Sequence, residues 1–210
     1  MKIVLIGAAV AAVVSILTFV GCRLYGSRDT AATVELKAHP QGKIAIVYYS
    51  QSKVQNTALV AQWIQKHTGG DLIPLELVTP YPGAYGDTLK AVQRDISEDC
   101  HPALKAVPDL SGYDIVFIGS PIWYGTYATP LATFFDAQKL DGKTIAPFCT
   151  HGGGGCGRFF VDVKKACPAA KMLEGLTIRG SNQIERRIGT GVTSHSTEDD
   201  VVIWLNTIFQ

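Results

Sequence analysis

From Lys43 onward, short apolar runs rich in β-branched residues alternate with stretches whose apolar positions recur at helical spacing. KIAIVYY (43–49) reads as a buried strand, and NTALVAQWIQKH (56–67) as a helix with Leu59, Val60, Trp63 and Ile64 on one face. DLIPLEL (71–77) is a second strand, set at a sheet edge because Pro74 has no donor for a ladder. A polar helix is expected around Asp87 to Glu98, inside the connection from Tyr81 to Pro102. DIVFIGS (114–120) makes the third strand, a helix runs from Pro130 to Ala137, and KTIAPFCT (143–150) makes the fourth strand. RFFVDVKKAC (158–167) reads as a helix and KMLEGLTI (171–178) as the fifth strand. TEDDVVIWLNTI (197–208) is a last helix, with acidic residues in the first turn where the helix dipole favours them. Five strands alternating with helices predict an α/β fold of three layers, a doubly wound parallel sheet covered on both faces.

The beginning of the chain follows a different pattern. Ile3 to Gly21 carries no charge and only Ser15 and Thr18 as polar side chains, and is followed by Cys22, Arg23 and a polar tract. Residues 1–22 are therefore read as a targeting or anchoring segment and 23–42 as a linker to a domain at 43–210. FVGC resembles the end of a bacterial lipoprotein signal, with Cys22 as the acylation site. An uncleaved helix is also long enough to span the hydrocarbon core, and an ordinary cleaved leader is the third reading. The first two tether the domain to a membrane. With Lys2 and the free amine held inside, all three put the domain in the cell envelope, outside the cytoplasmic membrane.

Composition narrows the partners rather than naming one. Nineteen Lys and Arg stand against eighteen Asp and Glu, with no block of like charge, so no nucleic-acid partner is expected. The five cysteines show no metal-site spacing, and no metal is expected. Those beyond Cys22 read either as disulfide partners in an oxidising compartment or as buried inert thiols.

Ligands of open α/β sheets bind outside the carboxyl ends of the strands. Three unusual loops fall there. After strand one, YYSQSKVQNT (48–57) is rich in hydroxyls and amides and leads into a helix, whose first N–H groups favour an anion. Asn56 or Thr57 acting as a plain helix cap is the alternative. After strand three, GSPIWYGT (119–126) offers Trp123 and Tyr124 as flat apolar surface, with Gly125 permitting close approach of the backbone. After strand four, CTHGGGGCGR (149–158) exposes successive backbone N–H groups beside His151, a candidate hydrogen-bond or proton donor. An anion site, an aromatic platform and an open backbone surface suit a planar ring that carries a phosphate.

The sequence resembles the flavodoxin family over about residues 43–181. The resemblance rests on Val78-Thr79 with PYP (80–82), PDLSGYD (108–114), GSPIWYGT (119–126), GKTIAPFCTHGGGG (142–155) and LEGLTIRGS (173–181). It implies a five-stranded sheet in order 2-1-3-4-5 with FMN as cofactor. The family's usual first loop is Ser-x-Thr-Gly-x-Thr, whereas SQSKVQNT is longer and has no glycine. By this resemblance Ser50, Ser52, Val54, Gln55, Asn56 and Thr57 hold the phosphate, and Pro121, Ile122, Trp123, Tyr124, Gly125 and Thr126 flank the ring. Gly125 lies near N5 of the ring, while Thr150, His151 and Gly152 line its pyrimidine edge. No catalytic acid or base is expected. The function implied is electron transfer to a partner protein or small acceptor, the alternative being an FMN-dependent NAD(P)H or quinone oxidoreductase.

Overall fold

The computed structural model describes residues 34–37, 39–52, 54–180 and 198–210. Residues 1–22, with Cys22, lie outside them. Strand β1 (Ile44–Tyr48) leads into helix α1 (Asn56–Thr68), followed by β2 (Asp71–Pro74) and α2 (Tyr85–Ser97). Next come β3 (Ile115–Trp123), β4 (Thr126–Tyr127), α3 (Thr129–Ala137), β5 (Thr144–His151) and α4 (Phe159–Ala166). The chain continues with β6 (Lys171–Met172), β7 (Leu176–Arg179) and α5 (Glu198–Ile208).

The sheet runs β2-β1-β3-β5-β6, with β7 also beside β5 and β4 folded back on β3. Every pairing is parallel except β3 with β4. With β6 and β7 counted as the two halves of one strand and β4 as a hairpin arm, this is the expected order 2-1-3-4-5. The central strands are buried on both faces. On one side Val47, Val116, Ile118 and Ile145 meet Leu131 and Phe134 of α3 and Phe159 and Val163 of α4. On the other, Ile46, Phe117 and Phe148 meet Val60 and Ile64 of α1 and Val201, Trp204 and Leu205 of α5. Gly119 is required by this packing, since a Cβ there would lie 2.1 Å from the Phe148 ring.

Four expectations are corrected. The face of α1 turned inward is Thr57, Ala58, Val60, Ala61 and Ile64, while Leu59 is exposed. β2 ends at Pro74, although Leu75 still donates its N–H to the Tyr48 carbonyl at 2.8 Å. The fifth strand is interrupted: Leu173 bonds to Ile145, then Glu174 turns its carbonyl to the Trp204 indole N–H at 2.9 Å. Gly175 passes so close to Phe160 that a Cβ would lie 2.0 Å from the ring. The fourth concerns β3, which does not end at Ser120 but continues through Trp123 and turns.

Within the expected linker, residues 34–37 lie against α5. Asn206 donates to the Glu35 carbonyl at 2.9 Å and accepts from the Lys37 N–H at 2.7 Å, and Leu36 packs against the neighbouring core.

Candidate functional site

The loop after β1 is a tight turn closed on Ser52. Gln55 N–H donates to the Ser52 carbonyl at 2.9 Å and to Ser52 Oγ at 3.1 Å, and Gln55 Nε2 donates to the same carbonyl at 2.7 Å. Gln55 is the N-cap of α1 in the left-handed region, φ 55°, with no side-chain cap. Placed on Ser52, the chain keeps the family's spacing, with Val54 where Thr and Gln55 where Gly is usual. Gln55 adopts the positive φ that glycine would take without strain. Ser50 Oγ accepts from the Ala58 N–H at 3.4 Å. A hydroxyl that accepts keeps its own proton to donate, so Ser50 and Ser52 each retain one for an anion. No acidic residue stands in the first turn of α1 to repel one. Asn56 is half-buried against Gly180, whose Cβ would lie 2.4 Å from Asn56 Nδ2. Thr57 is buried, and its hydroxyl is 2.8 Å from that of buried Thr150.

The GSPIWYGT stretch is a two-residue hairpin. Trp123 pairs with Thr126 and Ile122 with Tyr127, leaving Tyr124 and Gly125 as the turn. Both have positive φ, 47° and 82°, the signature of a type I′ turn. Its first position favours Asn, Asp or Gly; a tyrosine held there marks backbone strain of the kind that gathers at functional sites. The two aromatics separate. Trp123 is half-buried, standing edge-on to Tyr49 at 5.6 Å and to Tyr81 at 5.3 Å between ring centres. Tyr124 is 54% exposed, its hydroxyl 3.3 Å from the Leu89 carbonyl of α2. Ser120 fixes the base of the hairpin by accepting from the Ala128 N–H at 2.9 Å.

In the glycine loop, His151 organises the backbone. Its Nδ1 accepts from the N–H groups of Gly153 at 3.0 Å and Gly155 at 3.1 Å. An imidazole that accepts at Nδ1 carries its proton on Nε2. Burial and the nearby Arg179 hold its pKa below the ordinary histidine value, so the ring is neutral at pH 7. Of the glycine N–H groups expected to be exposed, those of Gly153 and Gly155 turn inward to His151. A Cβ on Gly125, Gly152, Gly153, Gly154 or Gly155 would meet nothing within 4 Å, so the backbone there is open. Among the described residues Cys100, Cys149, Cys156 and Cys167 are free thiols. Burial pushes the Cys149 and Cys167 thiols up, to about 12 and about 11, which keeps both inert.

The three loops are bonded to one another. Thr57 meets Thr150, joining the first loop to the end of β5. Arg158 N–H donates to the Gly125 carbonyl at 2.6 Å, joining the hairpin to the glycine loop. Gly157 makes room for this, because its Cβ would lie 2.2 Å from that carbonyl oxygen. Sequence reasoning overlooked Tyr49, Gln51, Tyr81, Gly157 and Arg158 as parts of this frame. A signal was present in the paired tyrosines closing β1 and in the PYP motif.

A parallel sheet in this order, with a hydroxyl loop, an aromatic hairpin and an open glycine backbone at its carboxyl end, defines a flavodoxin-type protein. The chain belongs to the flavodoxin family, whose sequence profile, described as Flavodoxin, matches residues 43–206. A Bacteroides eggerthii DSM 20697 protein provisionally called a flavoprotein is 27% identical, over 80% of this chain and 98% of that one, with a TM-score of 0.64. A flavoprotein of Lactobacillus acidophilus NCFM, solved in complex with FMN, shares the fold at 22% identity and a TM-score of 0.57, over 71% of this chain and 99% of that one. No curated protein matches the chain.

Proposed function

We propose that the chain is an FMN-binding electron-transfer protein, tethered outside the cytoplasmic membrane by its N-terminal segment and passing electrons to a partner protein or small acceptor. The observation that carries the reading is the bonding of all three loops into one frame, through Thr57 with Thr150 and Gly125 with Arg158. Family membership and the FMN found in the Lactobacillus acidophilus flavoprotein support the choice of cofactor. FMN supplies the redox chemistry when bound. Ser50 and Ser52 donate to the phosphate from their free hydroxyl protons, assisted by the N-terminus of α1. Tyr124, backed by the hairpin, covers the ring and excludes water, while neutral His151 presents Nε2–H as a donor. An apolar aromatic wall disfavours negative charge on the reduced ring and so lowers its potential.

The alternative is a reductase that takes electrons directly from NAD(P)H and passes them to a quinone. Stopped-flow mixing of the FMN-loaded chain with NADH, with NADPH and with a low-potential protein donor separates the two. Rapid reduction by the protein donor and slow reduction by both nicotinamides is expected of a carrier. Bleaching by a nicotinamide within the mixing time overturns the carrier reading in favour of the reductase.

A further inference from the structure

Trp123 is held by two tyrosine rings, each fixed at its hydroxyl. Both stand at 83° to the indole plane, so their edges define where the indole lies and how it is tilted. Tyr49 donates to Gln51 Oε1 at 2.6 Å, and Gln51 Nε2 donates to the Tyr81 carbonyl at 3.4 Å, linking the two tyrosines. Tyr81 donates to Asp95 Oδ2. With its single proton committed, the Tyr81 oxygen accepts from Thr129, whose Oγ1 is 2.6 Å away at the start of α3. The chain of donation therefore runs in one direction, from Thr129 through Tyr81 to Asp95.

Asp95 is the unexpected member. It is 6% exposed and shares an inward face of α2 with Val92, where an apolar residue would serve packing better. A carboxylate withdrawn from water is costly unless it is paired. Tyr81 is a neutral partner, and the charged Arg94 is 3.8 Å away on an exposed side chain and pairs only weakly. What the carboxylate adds is direction: it fixes the rotation of the Tyr81 hydroxyl and, with Thr129, the plane of the ring.

We propose that Asp95 and Tyr81 are positioning residues, which set the seat of Trp123 at the base of the Tyr124–Gly125 turn and, through that turn, the affinity and potential of the flavin. The proposal rests on the FMN reading above. Tyr81→Phe keeps the ring and removes the hydroxyl; Asp95→Asn keeps the shape and removes the charge. Both variants should weaken FMN binding about three- to tenfold, the worth of one hydrogen bond. Both should also move the midpoint potential in the same direction. In the double variant the effects should fall short of their sum, because the two residues act through one bond. Trp123 emission, taken as the difference from a Trp123→Phe chain, should shift in the FMN-free protein. Lowered melting temperatures with unchanged affinity, potential and emission overturn the proposal and leave the pair a packing device. Tyr81→Phe, the smaller change, decides the matter if Asp95→Asn does not fold. If the unsubstituted chain takes up no FMN, the cofactor reading fails by itself. The emission of the FMN-free variants then judges the pair, a shift supporting it and no shift overturning it.

Discussion

Two left-handed residues, Gln55 and Tyr124, bracket the site, and each holds a conformation that costs an L-residue about 1–2 kcal/mol. Their substitution by glycine separates strain kept for function from strain that is incidental. Gln55→Gly should stabilise the fold by about 1 kcal/mol and leave ring binding intact. Tyr124→Gly should stabilise by a similar amount yet weaken FMN by about 1 kcal/mol through lost ring contact. Thermal unfolding and FMN titration of both variants check this, and equal FMN affinity in the two would remove Tyr124 from the ring's wall. His151 makes the glycine loop sensitive to pH. Its pKa is lower in the fold than in the unfolded chain, because burial and Arg179 oppose the cation. The neutral ring's two bonds are therefore complete above the unfolded value near 6.5 and are lost as pH falls through the lowered folded value. Amide chemical shifts of Gly153 and Gly155 should move together below pH 6.5, and the shared transition should vanish in His151→Phe.

Among the elements, the long periodic ones were legible and the interruptions were not. β1, β3, β5 and the helices follow from runs of β-branched residues and apolar spacing, and Pro74 correctly marked β2 as an edge strand. The hairpin was missed because Tyr124 is not a turn residue by propensity, so Trp123-Tyr124-Gly125-Thr126 carries no Asn-Gly or Asp-Gly signal. The split fifth strand was missed because its cause is remote in sequence, in Phe160 beside Gly175 and in Trp204 reaching the Glu174 carbonyl. The three loops were legible singly from composition, but the Thr57–Thr150 and Gly125–Arg158 bonds depend on register between distant strands. Gly175→Ala tests the account of the break: the added methyl meets the Phe160 ring, and unfolding should cost about 1–3 kcal/mol less than in the parent chain. A neutral result in chemical denaturation would show that Phe160 moves aside freely. On the opposite layer, Glu198 joins α5 to Lys66 at 2.6 Å and His67 at 2.7 Å at the end of α1. Those two partners hold the Glu198 carboxyl below its usual range, so this contact is present above about pH 4.5 and is lost on further acidification. Glu198→Gln should cost at most about 1 kcal/mol, and less at high salt, since the contact is near the surface.

For the molecule as a whole, one end of the sheet gathers every loop proposed to hold the cofactor, while Leu36 and its neighbours run against α5 beside Asn206, near the end of that helix. If residues 1–22 tether the domain through Cys22, Cys22→Ser should move the protein from the membrane to the soluble fraction in cell fractionation. Continued membrane association would favour an uncleaved helix over a lipid anchor. Whether the three bonded loops form an FMN pocket with a phosphate seat after β1 is decided by titrating the flavin-free chain with FMN and with riboflavin and following flavin absorbance and fluorescence. Saturable uptake of one FMN per chain is expected, with riboflavin bound more weakly and Ser50→Ala with Ser52→Ala narrowing the gap between them. No uptake of either flavin, or equal affinity for both in the unsubstituted chain, would contradict it.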